Sequence, residues 1–239
     1  MRLTATETKY LKKLKDKKYR KTEQLFLVEG VKLCEELIKS NFKISRTLAT
    51  DEKYNNYPNF VLVNHEILDT IATTKTPQDI ICVAEIPPKF DGLPKGNSLV
   101  LDNLQDPGNI GTLIRSAIAF GFNDIYFINC PDIYSEKVIR GSMGAVFKIN
   151  PHFVTKEEFI TSKSDICDIL VGTDLNSSDK LNFSPKSKLA IVIGNEGNGV
   201  DKDILKHCDS IVTLKMTDKV ESLNAGVAGS IMMYEIYKC

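Results

Sequence analysis

Leu189, Ala190, Ile191, Val192 and Ile193 form an unbroken apolar run that stops at Gly194. A strand with one wet face alternates apolar and polar residues, whereas a continuous run fits a strand covered by helices on both faces, as in parallel sheets. This segment commits the C-terminal part of the chain to an α/β architecture. Further strands are expected at 98–104, 124–129, 149–154, 169–173 and 211–216 beside 189–194, with helices between them at 110–120, 135–143, 156–162, 200–208 and 223–238. In the first of these helices Ile110, Leu113, Ile114, Ala117 and Ile118 share one face and make a core stripe.

Before residue 90 the elements are shorter, with apolar runs at 26–28, 44–49, 60–63 and 80–84 and helical patterns at 31–39 and 66–72. They read as a small α/β unit. Residues 86–97 hold Pro87, Pro88, Pro94, Gly92 and Gly96 and almost no apolar periodicity, so neither a helix nor a central strand runs through them. The boundary is therefore expected there, with one domain at 1–95 and a second at 96–239.

The 31 basic and 31 acidic side chains cancel, but unevenly. From Met1 to Lys21 nine basic residues face only Glu7 and Asp16, so this arm carries +7 and the remainder −7. A basic arm on an acidic body suits a polyanion such as nucleic acid, and it equally suits a helix with solvated lysines. The six cysteines lie apart, with no C-x-x-C pair and no histidine at metal-ligand spacing, which reads as reduced thiols in a cytoplasm and no metal site. No stretch resembles a signal peptide or approaches the roughly 18–20 apolar residues of a membrane span, so neither secretion nor a membrane partner is expected.

In open parallel sheets, ligands bind where strand C-termini feed into helix N-termini. Three such junctions are rich in polar and small residues. In the first, Pro107 and Gly108 make a turn, Asn109 is placed to cap the next helix, and Arg115 follows about one and a half turns later, off the apolar stripe. Such a helix start suits a phosphate, although this junction alone is better explained by a plain cap and a surface charge. The second, GNEGNG at 194–199, has the spacing G-x-x-G-x-G and so fits neither the dinucleotide fingerprint nor a Walker loop. Its glycines let backbone approach a ligand, and Glu196 can accept a hydrogen bond or balance a positive charge; an ordinary glycine-rich turn is as good a reading. In the third, Ser222 or Asn224 can cap the last helix, and the small residues at 225–230 allow close packing, either at a dimer seam or within the chain. His65, His152 and His207 fall in none of these junctions, so chemistry needing a histidine base or ligand lacks it. Transfer from a good leaving group fits better.

Taken together, DPGNIGTLIR at 106–115, GNEGNG at 194–199 and SLNAGVA at 222–228 resemble, in order and separation, the motifs of the SpoU (TrmH) family of RNA ribose 2′-O-methyltransferases. RGSMGA at 140–145 looks like a further family segment, and QLFLVEG at 24–30 like the opening of the family's accessory RNA-binding domain. One departure is Lys215, where many relatives have proline. The resemblance implies a trefoil-knotted parallel-sheet methyltransferase domain of the SPOUT type, preceded by a small α/β domain resembling ribosomal protein L30e. It implies a homodimer, S-adenosylmethionine as cofactor, and RNA as partner, ribosomal RNA first and transfer RNA second. Cofactor contacts carry over to Thr173, Gly194, Asn195, Glu196, Gly197, Leu214, Met216, Ser222 and Leu223. Asn109, Arg115, Glu196, Ser222 and Asn224 fall at the family's functional polar positions. A non-catalytic RNA-binding module, or an enzyme acting on a nucleotide-like small molecule, each accounts for only part of these features.

Overall fold

The computed structural model describes residues 3–174, 187–217 and 219–238; Arg2 of the basic arm, Asp218 and Cys239 lie outside the described residues. The chain divides into two compact units, Met1–Pro88 with Asp132–Phe147, and Lys89–Pro131 with Lys148–Cys239. The first unit thus ends before residue 95 and takes back a stretch that a linear reading leaves in the second. Side-chain packing gives the reason. The Phe26 ring lies 4.9 Å from Tyr134 and 6.2 Å from Phe147, and Arg20 Nε donates to Asp132 at 2.7 Å.

In the first unit, β1 (Leu25–Glu29), β2 (Ile44–Ala49), β3 (Phe60–Leu62) and β4 (Ile80–Glu85) form a sheet ordered β1-β4-β2-β3. β4 runs antiparallel to both neighbours, while β2 and β3 are parallel. Leu48, Ile81 and Val83 of the sheet pack with Leu68 and Ile71 of α4 (His65–Ile71) and with Leu11 and Leu14 of the arm. The arm is two short helices, α1 (Ala5–Lys13) and α2 (Lys17–Glu23), because Asp16 accepts from the Lys18 amide at 2.8 Å and starts a new helix. It is therefore more than a solvated lysine face: Leu11, Leu14 and Arg20 are buried. The remaining helix before the linker is α3 (Val31–Ile38).

The second unit is built on β5 (Ser98–Asp102), β6 (Asp124–Ile128), β7 (Asn150–Val154), β8 (Ile169–Thr173), β9 (Leu189–Ile193) and β10 (Ser210–Val212), all parallel and ordered β10-β8-β9-β5-β6-β7. Every residue of β5, β6 and β9 is buried, as the apolar runs require. β10 is shorter than expected because it pairs only with Val171, Gly172 and Thr173, where β8 ends. α5 (Pro107–Ala119) begins at Asp106, which accepts from the Asn109 amide at 2.8 Å, with Pro107 in the first turn. Asp106, not Asn109, is thus the cap, and the Asn109 side chain is left for other work. Smaller helices are α6 (Glu136–Gly141), which belongs to the first unit, α7 (Lys156–Thr161), α8 (Lys163–Ile166) and α9 (Lys202–Lys206).

The last helix, α10 (Ala225–Tyr237), is capped by Asn224, which accepts from the Val227 amide at 3.2 Å. Its small residues serve packing within the chain. A Cβ at Gly229 would overlap Leu113 Cδ2 of α5 and lie 3.1 Å from Ile193 Cγ1 of β9, and Ser230 shares a 2.7 Å hydrogen bond with Ser116. Among the described residues no helix is long and apolar enough to cross a membrane. Replacing Gly229 with leucine should therefore lower the stability of the fold by about 1–3 kcal/mol or more, the usual cost of overpacking a filled core. Denaturant unfolding of parent and variant measures it, and an unchanged midpoint would contradict the packing described.

Candidate active site

β5 and β9 lie side by side at the centre of the second sheet, and the loops leaving their C-terminal ends meet. The contacts begin at the backbone. Gly194 has no room for a side chain, since a Cβ would overlap the Gly199 backbone, and the loop closes on itself through mutual backbone hydrogen bonds of 2.9 Å between Asn195 and Gly199. Asn195 Oδ1 accepts from the amides of Gly197 and Asn198 at 2.9 and 3.1 Å, while its Nδ2 donates to the Asn103 carbonyl at 2.9 Å. Below this turn Asp102, 3% exposed, accepts from the Asp201 amide at 2.7 Å. Burial, and then the Asp201 charge, outweigh that bond and the Lys156 charge and push the Asp102 carboxyl above its ordinary pKa. The glycine loop is thus tied to β5 at both ends.

Glu196 stands on this loop and accepts from Asn109 Nδ2 at 2.9 Å and from the amides of Gln105 and Asp106 at 3.4 Å. Asn224 Nδ2 donates to Asn109 Oδ1 at 2.7 Å. These bonds fix every orientation in the chain. The Val227 amide can only donate, so Asn224 turns its oxygen to it and its nitrogen to Asn109; Asn109 must then turn its nitrogen to Glu196, which is acceptor-only when ionised. Partial burial works to raise the Glu196 pKa, but the Asn109 amide and the backbone donors outweigh it and hold the carboxyl below its ordinary value. One residue from each of the three sequence junctions is joined into a single line ending in a fixed negative charge.

The other expected site residues are placed less tightly. Thr173 Oγ1 donates to the Val192 carbonyl at 2.9 Å, joining the ends of β8 and β9. Leu214 and Met216 are half-buried in the segment after β10, where the backbone groups of residues 214–216 make no hydrogen bond with described residues. Ser222 and Leu223 are exposed, and the Ser222 hydroxyl has no described partner. Arg115 is exposed on α5 and its side chain makes no hydrogen bond or ion pair among the described residues, so the structure does not bring it into the Asn109 line. Gly197 is exposed at the tip of the loop.

Sequence reasoning passes over Asn103, Gln105 and Asn129. Asn103 and Asn129 end β5 and β6 in the left-handed region, with φ of 53° and 49°, and are bonded to each other at 2.7 Å; Gln105 donates to the carbonyls of both. The available signal was an asparagine directly after each of two apolar runs, since asparagine tolerates this conformation better than most residues. Two histidines of this unit are engaged elsewhere: His152 is held by Asp124 at 3.0 Å at the opposite, N-terminal end of β6, and His207 bonds the Asp203 carbonyl. Among the described residues no group of three or more His, Cys, Asp or Glu side chains could hold a metal ion.

Comparison with known proteins adds an independent line. The model of the SpoU rRNA methylase family matches residues 96–234, and that of the MRM3-like substrate binding domain matches residues 6–82. The 23S rRNA (guanosine(2553)-2′-O)-methyltransferase RlmP of Bacillus subtilis (strain 168) is 30% identical over 234 residues, covering 94% of this chain and 93% of that protein. The crystal structure of an AdoMet-bound rRNA methyltransferase from Sinorhizobium meliloti matches with a TM-score of 0.88 and 28% identity over 99% of this chain and 95% of that one. An AdoMet-bound SpoU methyltransferase from Streptomyces viridochromogenes shares the fold, with a TM-score of 0.85 at 22% identity over 99% and 98% of the two chains.

The depressed Glu196 pKa carries a signed prediction. Its contribution to stability is complete above the ordinary glutamate value of about 4.3 and is lost as pH falls through the lower folded value. Glu196→Gln, which offers one acceptor oxygen instead of two, should therefore destabilise most at neutral pH, and the gap from the parent should close on acidification. Denaturant midpoints over a pH series test this; a gap that does not change with pH would remove the charge from the account.

Proposed function

The chain belongs to the SpoU rRNA methylase family, and on that premise we propose that it transfers a methyl group from S-adenosylmethionine to a ribose 2′-hydroxyl of ribosomal RNA in the cytoplasm. The observation that carries this reading is the Glu196–Asn109–Asn224 line, which joins the ends of β5 and β9 to the start of α10 at a strand mouth. The neighbouring surface fits the cofactor. Residues 214–216, whose backbone groups have no partner among the described residues, suit the edge of an adenine and Leu214 and Met216 its faces, while Gly194, Asn195 and Gly197 of the glycine loop and Ser222 and Leu223 before α10 suit the rest of the cofactor. Thr173 braces the strand ends beneath. S-adenosylmethionine, when bound, supplies a methyl group already activated on a sulfonium, which departs as a neutral thioether.

With such a leaving group the protein has mainly to align the acceptor and stabilise charge on its oxygen. The ionised Glu196 holds the loop and faces a cationic ligand with a compensating charge. Asn109, fixed at both ends, is a rigid wall for the ribose. Arg115 is exposed and its side chain has no partner among the described residues, so its guanidinium, which can only donate, is available to the 2′-oxygen or to a flanking phosphate. Its role is charge stabilisation, and the proton of the 2′-hydroxyl passes to solvent water as the methyl group is transferred.

The family resemblance also supports a homodimer and a knotted C-terminal segment. With Gly226 and Gly229 turned inward, the dimer face is assigned to the outer side of α10, where Val227, Ile231 and Tyr234 are 45%, 39% and 45% exposed at helical spacing.

Two experiments follow. Transfer of radioactive methyl to rRNA from a strain lacking this enzyme should survive metal chelation, and Arg115→Ala should lower single-turnover rate by roughly 10²–10³ with little change in cofactor affinity, the usual loss for one transition-state donor. Near-parental turnover would take Arg115 out of the mechanism, and no methyl transfer by the parent would overturn the activity. Ile231→Asp should convert the dimer to monomer in light scattering; an unchanged dimer would place the seam elsewhere.

A further inference from the structure

The first unit contains a cavity of about 260 Å³, lined by Lys15, Arg20, Thr73, Tyr134, Ser135 and Lys137 among others. Its basic character is built in rather than scattered. Arg20 is only 7% exposed; its Nε is held by Asp132 at 2.7 Å and its Nη1 by the carbonyls of Leu14 and Lys15 at 2.9 and 2.8 Å, which leaves Nη2 without a partner among the described residues. A guanidinium clamped on two sides is a pre-organised donor, with little conformational freedom left to lose on binding an anion.

Two lysines complete the charge. Lys15 Nζ donates to the Thr70 carbonyl at 3.1 Å, and partial burial, followed by repulsion from Lys12, lowers its pKa, so a nearby anion would relieve an existing electrostatic cost. Lys137 is exposed and unpaired among the described residues. Glu136, the acidic side chain in the lining, is engaged by Arg140, and Glu29, whose charge works against the lowering at Lys15, is held by Thr73 and Thr74. Ser135 occupies the cap position of α6 yet makes no cap bond, and its Oγ is one of two buried side-chain polar atoms without a hydrogen-bond partner among the described residues. Such atoms are uncommon in folded proteins and call for a missing partner.

We propose that this cavity is a subsite for one phosphodiester of the RNA backbone, bound by Arg20 Nη2, Lys15, Lys137 and the Ser135 hydroxyl. It rests on the reading of the chain as an RNA methyltransferase and adds a contact for RNA within the first unit. It also assigns phosphate contact to side chains other than the outward lysines of α2. The cavity positions Lys15 and Arg20 from the arm beside Ser135 and Lys137, more than a hundred residues later.

The test uses the full chain, a fluorescently labelled ribosomal RNA hairpin, and affinity measured across a salt series. Lys137→Gln should weaken binding several-fold at low salt and make the log–log salt slope shallower by about 0.7–0.9, the value for one lost phosphate contact. Ser135→Leu, which fills the cavity without changing charge, should weaken binding and leave the slope contribution of the outer lysines in place; Lys18→Gln, outside the cavity, should change affinity less than either. Circular dichroism melts confirm that each variant is folded, and S-adenosylmethionine binding should match the parent in all three. Equal effects of Lys137→Gln and Lys18→Gln, or parental binding by Ser135→Leu, would overturn the subsite and leave only a diffuse basic surface. Competition by inorganic phosphate at constant ionic strength in the parent but not in Ser135→Leu would support it; phosphate binding that leaves RNA affinity untouched would assign the cavity to free phosphate instead. A parent that methylates RNA while both cavity variants bind normally sinks the subsite alone, whereas a parent that neither binds nor methylates RNA sinks the function as well.

Discussion

Asn109 can satisfy both neighbours in only one orientation, its nitrogen toward Glu196 and its oxygen toward Asn224. That requirement ties together three segments separated by 87 and 115 residues of sequence. Asn109 is the buried member of the line, and a buried polar group left unpaired costs on the order of 1–3 kcal/mol, so the loss of either exposed neighbour, Glu196 or Asn224, is felt at Asn109. The glycine loop, the helix that follows β5 and the start of the last helix are thereby joined through one buried side chain.

Close backbone packing makes that line possible. Gly194 lets the loop fold back until Asn195 and Gly199 bond to each other, and Gly226 and Gly229 let α10 lie against α5 and β9. At Gly226 an added Cβ would stand 3.1 Å from Asn224 Oδ1 and 3.3 Å from Asn109 Oδ1, against the very amides that form the line. The small residues of the last helix therefore serve the geometry of the site, while its exposed Val227, Ile231 and Tyr234 leave a separate apolar face.

The two units divide the electrostatic work. In the second, a carboxylate is held ionised by amide donors at the mouth of the sheet, and Asp102 beneath it is pushed the other way by burial. In the first, the net positive charge of the arm is partly internal, because Arg20 is drawn into the core and paired with Asp132 while most of the lysines stay outside. Cysteine takes no part: the five described thiols are free, and burial pushes Cys130 and Cys208 up to about 12.

The sequence by itself determined most of the elements and pointed to the residues of the Glu196–Asn109–Asn224 line. Apolar continuity at 189–193 and the stripe from Ile110 to Ala117 report burial directly, so β9 and α5 could be read before any contact was known, and the three motifs carried the family resemblance. What only the tertiary structure decided are matters of partnership. Periodicity cannot tell that Asp106 rather than Asn109 caps α5, because both residue types suit the position and only the register of the first turn chooses. Nor can it tell that Asp132–Phe147 belongs with the first unit, since the choice depends on Phe26 meeting Tyr134 and Phe147 across more than a hundred residues. The inward turn of Gly229, the pairing of Asn103 with Asn129, and the solitary exposure of Arg115 are likewise distances in space, and local sequence encodes propensity and burial but not which distant side chain completes a hydrogen bond.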